Sequence, residues 1–400
     1  MLKVILFLLL FLIIYLEPIY FGAIKFSLLW KAIFFSVLFF LAFSGFRITK
    51  LNLYAYLYCF KHIVSVGALK SFGESFMEVF KTSTIPFVLH AAQSCYEKNP
   101  NKVRSFVSQT LSFLAFSFVL INVPFLLGIT PELSKGIALT ALGGEMHGYS
   151  GPFQNGHSAS ITVGASSIVL LFEIFKAKSK LKKYFAFIIF FLSLVVIYKT
   201  LVRTGFLMVF VGLIVFAYSL YGIKILLKYL PLVGLGFLFL VSAIISNEEL
   251  MMRLFDGSVY ENNHSHWFYT IGSGRLWMAW TNIVFWFDSG LQSWIFGTGI
   301  GPSKDNMEQV VGIRVFSHNG FIDALAHNGL IGLFLYVMIL VQSYRTIKQN
   351  FYKCKLASSL AISIFISYLI FVFFQGGSRF YFDVIYVLVL LNINYMEKNT

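Results

Sequence analysis

Apolar runs of roughly 20 residues, broken by short polar connections, recur along the whole chain, the length needed to cross about 30 Å of hydrocarbon as a helix. Such runs fall near 3–20, 26–46, 51–69, 76–95, 105–128, 157–175, 184–198, 204–222, 229–246, 319–344, 356–374 and 380–396, about twelve candidate spans. The third and fourth are interrupted by Lys61, His62, Lys81 and His90. The pattern predicts an all-α integral membrane protein, a single polytopic domain over 1–400 with one large extramembrane loop, 247–317, between the ninth and tenth spans. The opening run has the look of a signal peptide, but no small-residue cleavage site precedes Glu17-Pro18, so it is read as a retained span.

The polar connections set the orientation. Arg47 and Lys50, then Lys98, Lys102 and Arg104, then Lys176, Lys178, Lys180, Lys182 and Lys183, then Lys224 and Lys228, and finally Arg345, Lys348, Lys353 and Lys355 occupy alternate connections. Basic residues mark the cytoplasmic side, which places both termini inside. The other connections, 129–156, 199–203, 247–317 and 375–379, then face outward. Arg203, Arg275, His318 and Arg379 thereby share the outer face, although the charge rule was applied without them.

Composition narrows the class further. A chain 58% hydrophobic, 18% aromatic and only 12% charged is not a soluble globule, for which about 25% charged is usual. The net charge of +14 lies in clusters between apolar runs, which is membrane topology and not a nucleic-acid footprint. Cys59, Cys95 and Cys354 are an odd number and none falls in an outer connection, so no disulfide framework is expected. No repeat, low-complexity tract or soluble domain interrupts the chain.

The loop 247–317 carries Trp267, Trp277, Trp280, Trp286 and Trp294, and Leu276 to Phe287 reads as a short helix at the membrane interface. These rings anchor the loop there, or a subset of them stacks on sugar. Gly297 to Gly301 is not a nucleotide loop, because it lacks the strand–turn–helix setting of a soluble nucleotide-binding unit; a tight turn back to the membrane accounts for it. His264, His266, His147 and His157 gain no carboxylate or cysteine company that would complete a metal site, and no metal or cofactor is expected.

The densest chemistry lies from Phe316 to Phe334, where His318-Asn319 opens an apolar helix that also carries Gly329 and Gly332. An imidazole at the membrane boundary can cap the helix or exchange a proton near neutral pH. His327, nine residues on, falls about half a turn away and reads as structural. Position alone lets Arg203 be a snorkelling arginine. Arg275 follows Gly272 and Gly274, whose missing side chains allow backbone amides and the guanidinium to approach one anion, and paired guanidinium forks suit a diphosphate.

Taken in order, Arg203-Thr204-Gly205, then Gly272-Ser273-Gly274-Arg275 with Trp277 and Trp280, then Phe296 to Pro302, then the His-Asn helix, the chain resembles the O-antigen ligase and polymerase family. The resemblance covers about Thr200 to Phe334. The stretch Gly151-Pro152-Phe153-Gln154-Asn155 is also similar to a family segment that would help frame the donor site.

The resemblance implies a bacterial inner-membrane glycosyltransferase of the C-type superfamily, moving glycan from undecaprenyl diphosphate on the periplasmic face with no metal or nucleotide. Arg203 and Arg275 would hold the diphosphate, with Arg379, Asn319 and Gly274 in support, and His318 would act as base. A polymerase would transfer to another lipid-linked repeat unit, and an O-antigen ligase to lipid A-core. A flippase, the more distant alternative, would show repeated halves and polar residues deep in its spans. The implied partners are the lipid-linked oligosaccharide donor, a glycan acceptor, membrane lipid and other assembly proteins such as a flippase and a chain-length regulator, with no nucleic acid.

Overall fold

The computed structural model describes residues 20–21, 24–45, 48–66, 72–132, 136–139, 145–153, 155–224, 227–228, 274–312, 314–376 and 379–395, with positions 242 and 246. The first and ninth predicted spans lie essentially outside these residues, as do 247–273 of the long loop, with Gly272, Ser273, His264, His266 and Trp267.

The described chain is overwhelmingly helical. Two short antiparallel hairpins are added to the expected all-α architecture: β1 (Tyr20–Phe21) with β2 (Ile24–Lys25), and β3 (Gly136–Leu139) with β4 (Glu145–Gly148), the latter in the connection before the sixth predicted span. The helices are α1 (Phe26–Ala42), α2 (Lys50–Val66), α3 (Phe72–Lys98), α4 (Pro100–Leu120), α5 (Val123–Leu126), α6 (Gly156–Lys176), α7 (Lys180–Thr200) and α8 (Arg203–Tyr221). After the long loop follow α9 (Arg275–Asp288), α10 (Gly290–Phe296), α11 (Ile300–Val311), α12 (Gly320–Asn350), α13 (Lys355–Gln375) and α14 (Phe380–Asn394).

Among the described residues, six helical stretches are long and apolar enough to cross a bilayer: 100–126, 156–176, 180–200, 203–221, 320–350 and 355–375. Residues 29–42 and α14 are shorter apolar helices. The interrupted third and fourth runs do form helices, but α2, at 17 residues, is too short for that set, and α3 is too polar. From Arg275 onward the long loop folds into α9, α10 and α11, and the interfacial helix expected over Leu276 to Phe287 is present as α9.

Apolar attraction alone does not bind helices together in lipid, so close approach and hydrogen bonds across interfaces matter more. The α6–α8–α13 contact is built that way. A Cβ on Gly205 would lie 1.7 Å from Ser160 Oγ, and one on Gly212 would lie 2.5 Å from Ile168 and 2.7 Å from Ser367 Oγ. Ser363 donates to the carbonyl of Gly212, and Ser367 to that of Met208 at 3.1 Å. The centre of the bundle is aromatic: Tyr368 of α13 stacks on Tyr386 of α14 at 4.2 Å, and Phe371 and Phe382, edge-on to each other, pack against Tyr368.

Helix α6 orients the bundle. Its Lys176 end lies by Ser108 of α4, and Arg104 one turn away reaches the carbonyl of Tyr395. Its Gly156 end lies by Thr200 and Val202, at the α7–α8 turn. The first set of contacts belongs to the basic connections and the second to the candidate site, so the two occupy opposite ends of α6.

Candidate functional site

Several helix ends converge around Gln375, the last residue of α13. Its side-chain amide donates to Thr204 Oγ1 of α8 at 2.9 Å and lies 3.0 Å from Nδ1 of His157 in the first turn of α6. Arg203, the first residue of α8, is half-buried and directly precedes Thr204. Arg275, the first residue of α9, donates from Nη1 to the carbonyl of Phe374 at 2.7 Å and to Thr204 Oγ1 at 3.4 Å. Gly274 is the N-cap of α9 with φ 74°, a left-handed turn that glycine enters without steric penalty. It is this turn that delivers Arg275 to the end of α13.

The start of α12 completes the group. Asn319 is its N-cap, with Oδ1 accepting the amides of Phe321 at 3.0 Å and Ile322 at 3.2 Å. Capping is therefore the task of Asn319, and the His318 imidazole is released from it. His318 adopts φ 59°, a left-handed conformation that costs a non-glycine residue about 1–2 kcal/mol. Arg379, the N-cap residue of α14, stands close enough for its charge to act on His318.

Electrostatics joins these side chains. Burial above all, and then the charges of Arg275 and Arg379, push the His318 pKa down to about 4 against the upward pull of a hydrogen bond to the Gln375 main chain. Burial likewise brings Arg275 down to about 10, with Arg203 adding repulsion. Arg379 is also lowered by burial, against the attraction of Glu78 and Asp383. At neutral pH the arginines are charged and the imidazole is neutral, able to accept a proton. Clustered, partly desolvated guanidinium groups form a setting that an anion relieves.

A second feature lies deeper in α12. Gly329 has φ 69° and ψ −168°, which breaks the helix. The segment between α10 and α11 fits into the break: Thr298 donates its amide to the Ala326 carbonyl at 2.8 Å, and Gly299 donates to that of His327 at 3.2 Å. Carbonyls freed inside a membrane need such partners. Close packing demands glycine on both sides, since a Cβ on Gly297 would lie 2.3 Å from the His327 carbonyl and one on Gly329 would lie 2.3 Å from that of Ile295. Asn328 accepts from Ser65 at 2.8 Å and lies 3.2 Å from the His62 ring of α2. The glycine run thus splices the Arg275 segment into α12, the helix that His318 precedes, beyond the simple turn expected.

His327 is buried at 2% exposure and lines a cavity of about 70 Å³ together with His62, Glu78, Lys81 and Asp323. It does not join the cationic group. The segment before α6 contributes Asn155, whose side chain caps that helix through Ser158 N at 2.8 Å, and Phe153, which is buried; Gln154 lies outside the described residues. Sequence reasoning missed Gln375, Thr204 and Asp323. Gln375 was legible only as the polar end of an apolar run, and Asp323 as an acid in the first turns of a membrane helix.

A multi-helix membrane protein with arginines and a neutral histidine gathered at one end of its bundle is the class that fold and site define. Within it, residues 188–337 match the family model described as O-antigen ligase, a stretch that contains Arg203, Arg275 and His318 and ends before Arg379. The match makes this segment similar to the O-antigen ligase family. No curated protein matches the chain.

Proposed function

We propose that the protein is a surface-polysaccharide polymerase of the bacterial inner membrane, transferring glycan from undecaprenyl diphosphate to a hydroxyl of another lipid-linked repeat unit on the periplasmic face. The observation that carries this reading is the convergence of Arg275 and the start of α8 on the end of α13, where the charge of Arg203 acts on Arg275 and those of Arg275 and Arg379 act on a neutral His318. Arg203 and Arg275 hold the donor diphosphate, Arg379 supports them, and Asn319 and Gly274 shape the two helix starts. His318 takes the proton of the acceptor hydroxyl as its oxygen attacks the anomeric carbon. The bond from that carbon to the diphosphate breaks, its electron pair leaves with the diphosphate, and the arginines stabilise the charge that develops. The chain supplies these roles from its own side chains.

The description of the matched family model favours a second reading, an O-antigen ligase that uses the same donor chemistry with lipid A-core as acceptor. Deletion of the gene followed by gel analysis of the surface polysaccharide separates them. A single-repeat, semi-rough pattern is expected for the polymerase. Loss of all capping would make the protein the ligase, and accumulation of lipid-linked glycan on the cytoplasmic face would make it a flippase.

A further inference from the structure

His318 is held by a clamp that begins on Asp323, a residue without a role in the transfer chemistry above. Asp323 Oδ1 accepts the main-chain N–H of Ser317 at 3.0 Å and its hydroxyl at 2.7 Å. The Ser317 oxygen in turn lies 3.3 Å from the amide of Asn319, which donates to it. His318 is thus bracketed by Ser317, bonded directly to the carboxylate, and by Asn319, linked to it through the Ser317 hydroxyl. On the opposite side, Gly376 packs so tightly that a Cβ there would lie 2.8 Å from Asn319 N, 2.8 Å from Asp323 Oδ2 and 3.0 Å from the His318 carbonyl carbon.

The energetics do not favour a purely stabilising role. Asp323 is 5% exposed, and its Oδ2 has no hydrogen-bond partner among the described residues. A buried carboxylate with one oxygen unsatisfied costs more than an apolar side chain of similar shape. What its bonds to Ser317 do secure is local geometry, in a segment whose histidine sits in a left-handed conformation that a non-glycine residue adopts reluctantly.

We propose that Asp323 is a positioning residue for the transfer reaction: by accepting both donors of Ser317 it fixes the backbone at His318 and so the placement of the imidazole. The proposal rests on the reading of His318 as base. It predicts that acceptor geometry, not negative charge, is what position 323 contributes, because the Ser317 donors need only an oxygen where Oδ1 stands.

The test uses the full chain purified in lipid, with Asp323→Asn, Asp323→Ala and Ser317→Ala, assayed for transfer from a lipid-linked donor and for the rate at which diethyl pyrocarbonate modifies His318, mapped by mass spectrometry. Asp323→Asn keeps an acceptor oxygen and should stay within about threefold of wild type, whereas Asp323→Ala should lower turnover by about 10- to 100-fold at nearly unchanged donor KM, the scale expected when a reacting group is misplaced. Ser317→Ala should fall between them. The His318 modification rate should change in Asp323→Ala and hold in Asp323→Asn. Wild-type turnover in Asp323→Ala, an equal loss in Asp323→Asn, or unaltered His318 reactivity in Asp323→Ala overturns the proposal. If Asp323→Ala does not fold, lost transfer in Asp323→Asn or unaltered His318 reactivity in Ser317→Ala overturns it. Should His318→Ala itself transfer normally, the base assignment fails, and the reactivity measurement still decides whether Asp323 places that ring.

Discussion

Arg275 Nη1 donates to the carbonyl oxygen of Phe374 at 2.7 Å, which pins the first residue of α9 to the last turn of α13. That bond leaves most of the five-donor guanidinium fork for other partners. Replacing Arg275 by Lys keeps a cation but loses the fork, so transfer should fall nearly as far as in Arg275→Ala, by about tenfold or more, the scale of a lost charge-assisted hydrogen bond. Steady-state transfer by the purified variants measures this, and full activity in Arg275→Lys would show that a point charge suffices.

His318 just precedes α12 and His327 lies within it, in different surroundings, one beside Arg275 and Arg379 and one lining the cavity with His62 and Glu78. In a folded, purified protein His318→Ala should keep donor binding and lose transfer by about 10² to 10⁴, the worth of a positioned general base. His327→Ala should transfer at close to the wild-type rate. A wild-type transfer rate in His318→Ala would place the base elsewhere, with Glu145 or His147 the next to test, and loss of donor binding would instead move His318 to the phosphate-binding group.

The pH dependence has a definite sign. With its pKa lowered to about 4 by burial and by Arg275 and Arg379, His318 remains an unprotonated base well below neutrality, so the acid limb of kcat/KM should fall near pH 4 instead of 6.5. A bound diphosphate offsets the arginine charges, so the corresponding limb in kcat should lie at higher pH. For stability, a depressed histidine pKa means that the unfolded chain binds the proton more readily, so the contribution of His318 is complete above about 6.5 and is lost as pH falls towards 4. Initial-rate profiles and unfolding followed across pH 4–7 check both statements, and a kcat/KM limb at 6.5 would remove the electrostatic coupling.

Gly329 and Gly297 interlock the α12 break with the α10–α11 segment. Alanine at either position meets backbone atoms at 2.3 Å and must adopt a positive φ, so each substitution should destabilise the protein by about 2–4 kcal/mol. Gly222 has a comparable φ with open space around it and should cost less on substitution. Thermal unfolding in detergent ranks the three variants, and equal midpoints would show that the splice is not structurally demanding.

Orientation follows from the basic connections and is checked by reporter fusions. A fusion at Lys180 should report from the cytoplasm and one at Thr298 from the periplasm. The reverse at Lys180 would place the arginines and His318 on the cytoplasmic face and remove the lipid-linked donor from the proposed chemistry.

Local physics carried a large share into the sequence. The apolar runs announced the helices because hydrocarbon demands length and internal backbone bonding, and the place of α9 followed from the interfacial, tryptophan-rich character of Leu276 to Phe287. Arg203, Arg275, His318 and Arg379 were assigned to one face by counting lysines elsewhere, since charge asymmetry is a property of whole connections. The tertiary structure alone decided what those residues meet. Gln375 joining Thr204 to His157, Asp323 gripping Ser317, and the Gly297–Gly329 splice all join segments distant in sequence or turn on a backbone angle. Apolar periodicity records which face of a helix avoids water, but not which neighbour that face finds or where a helix will break to admit one.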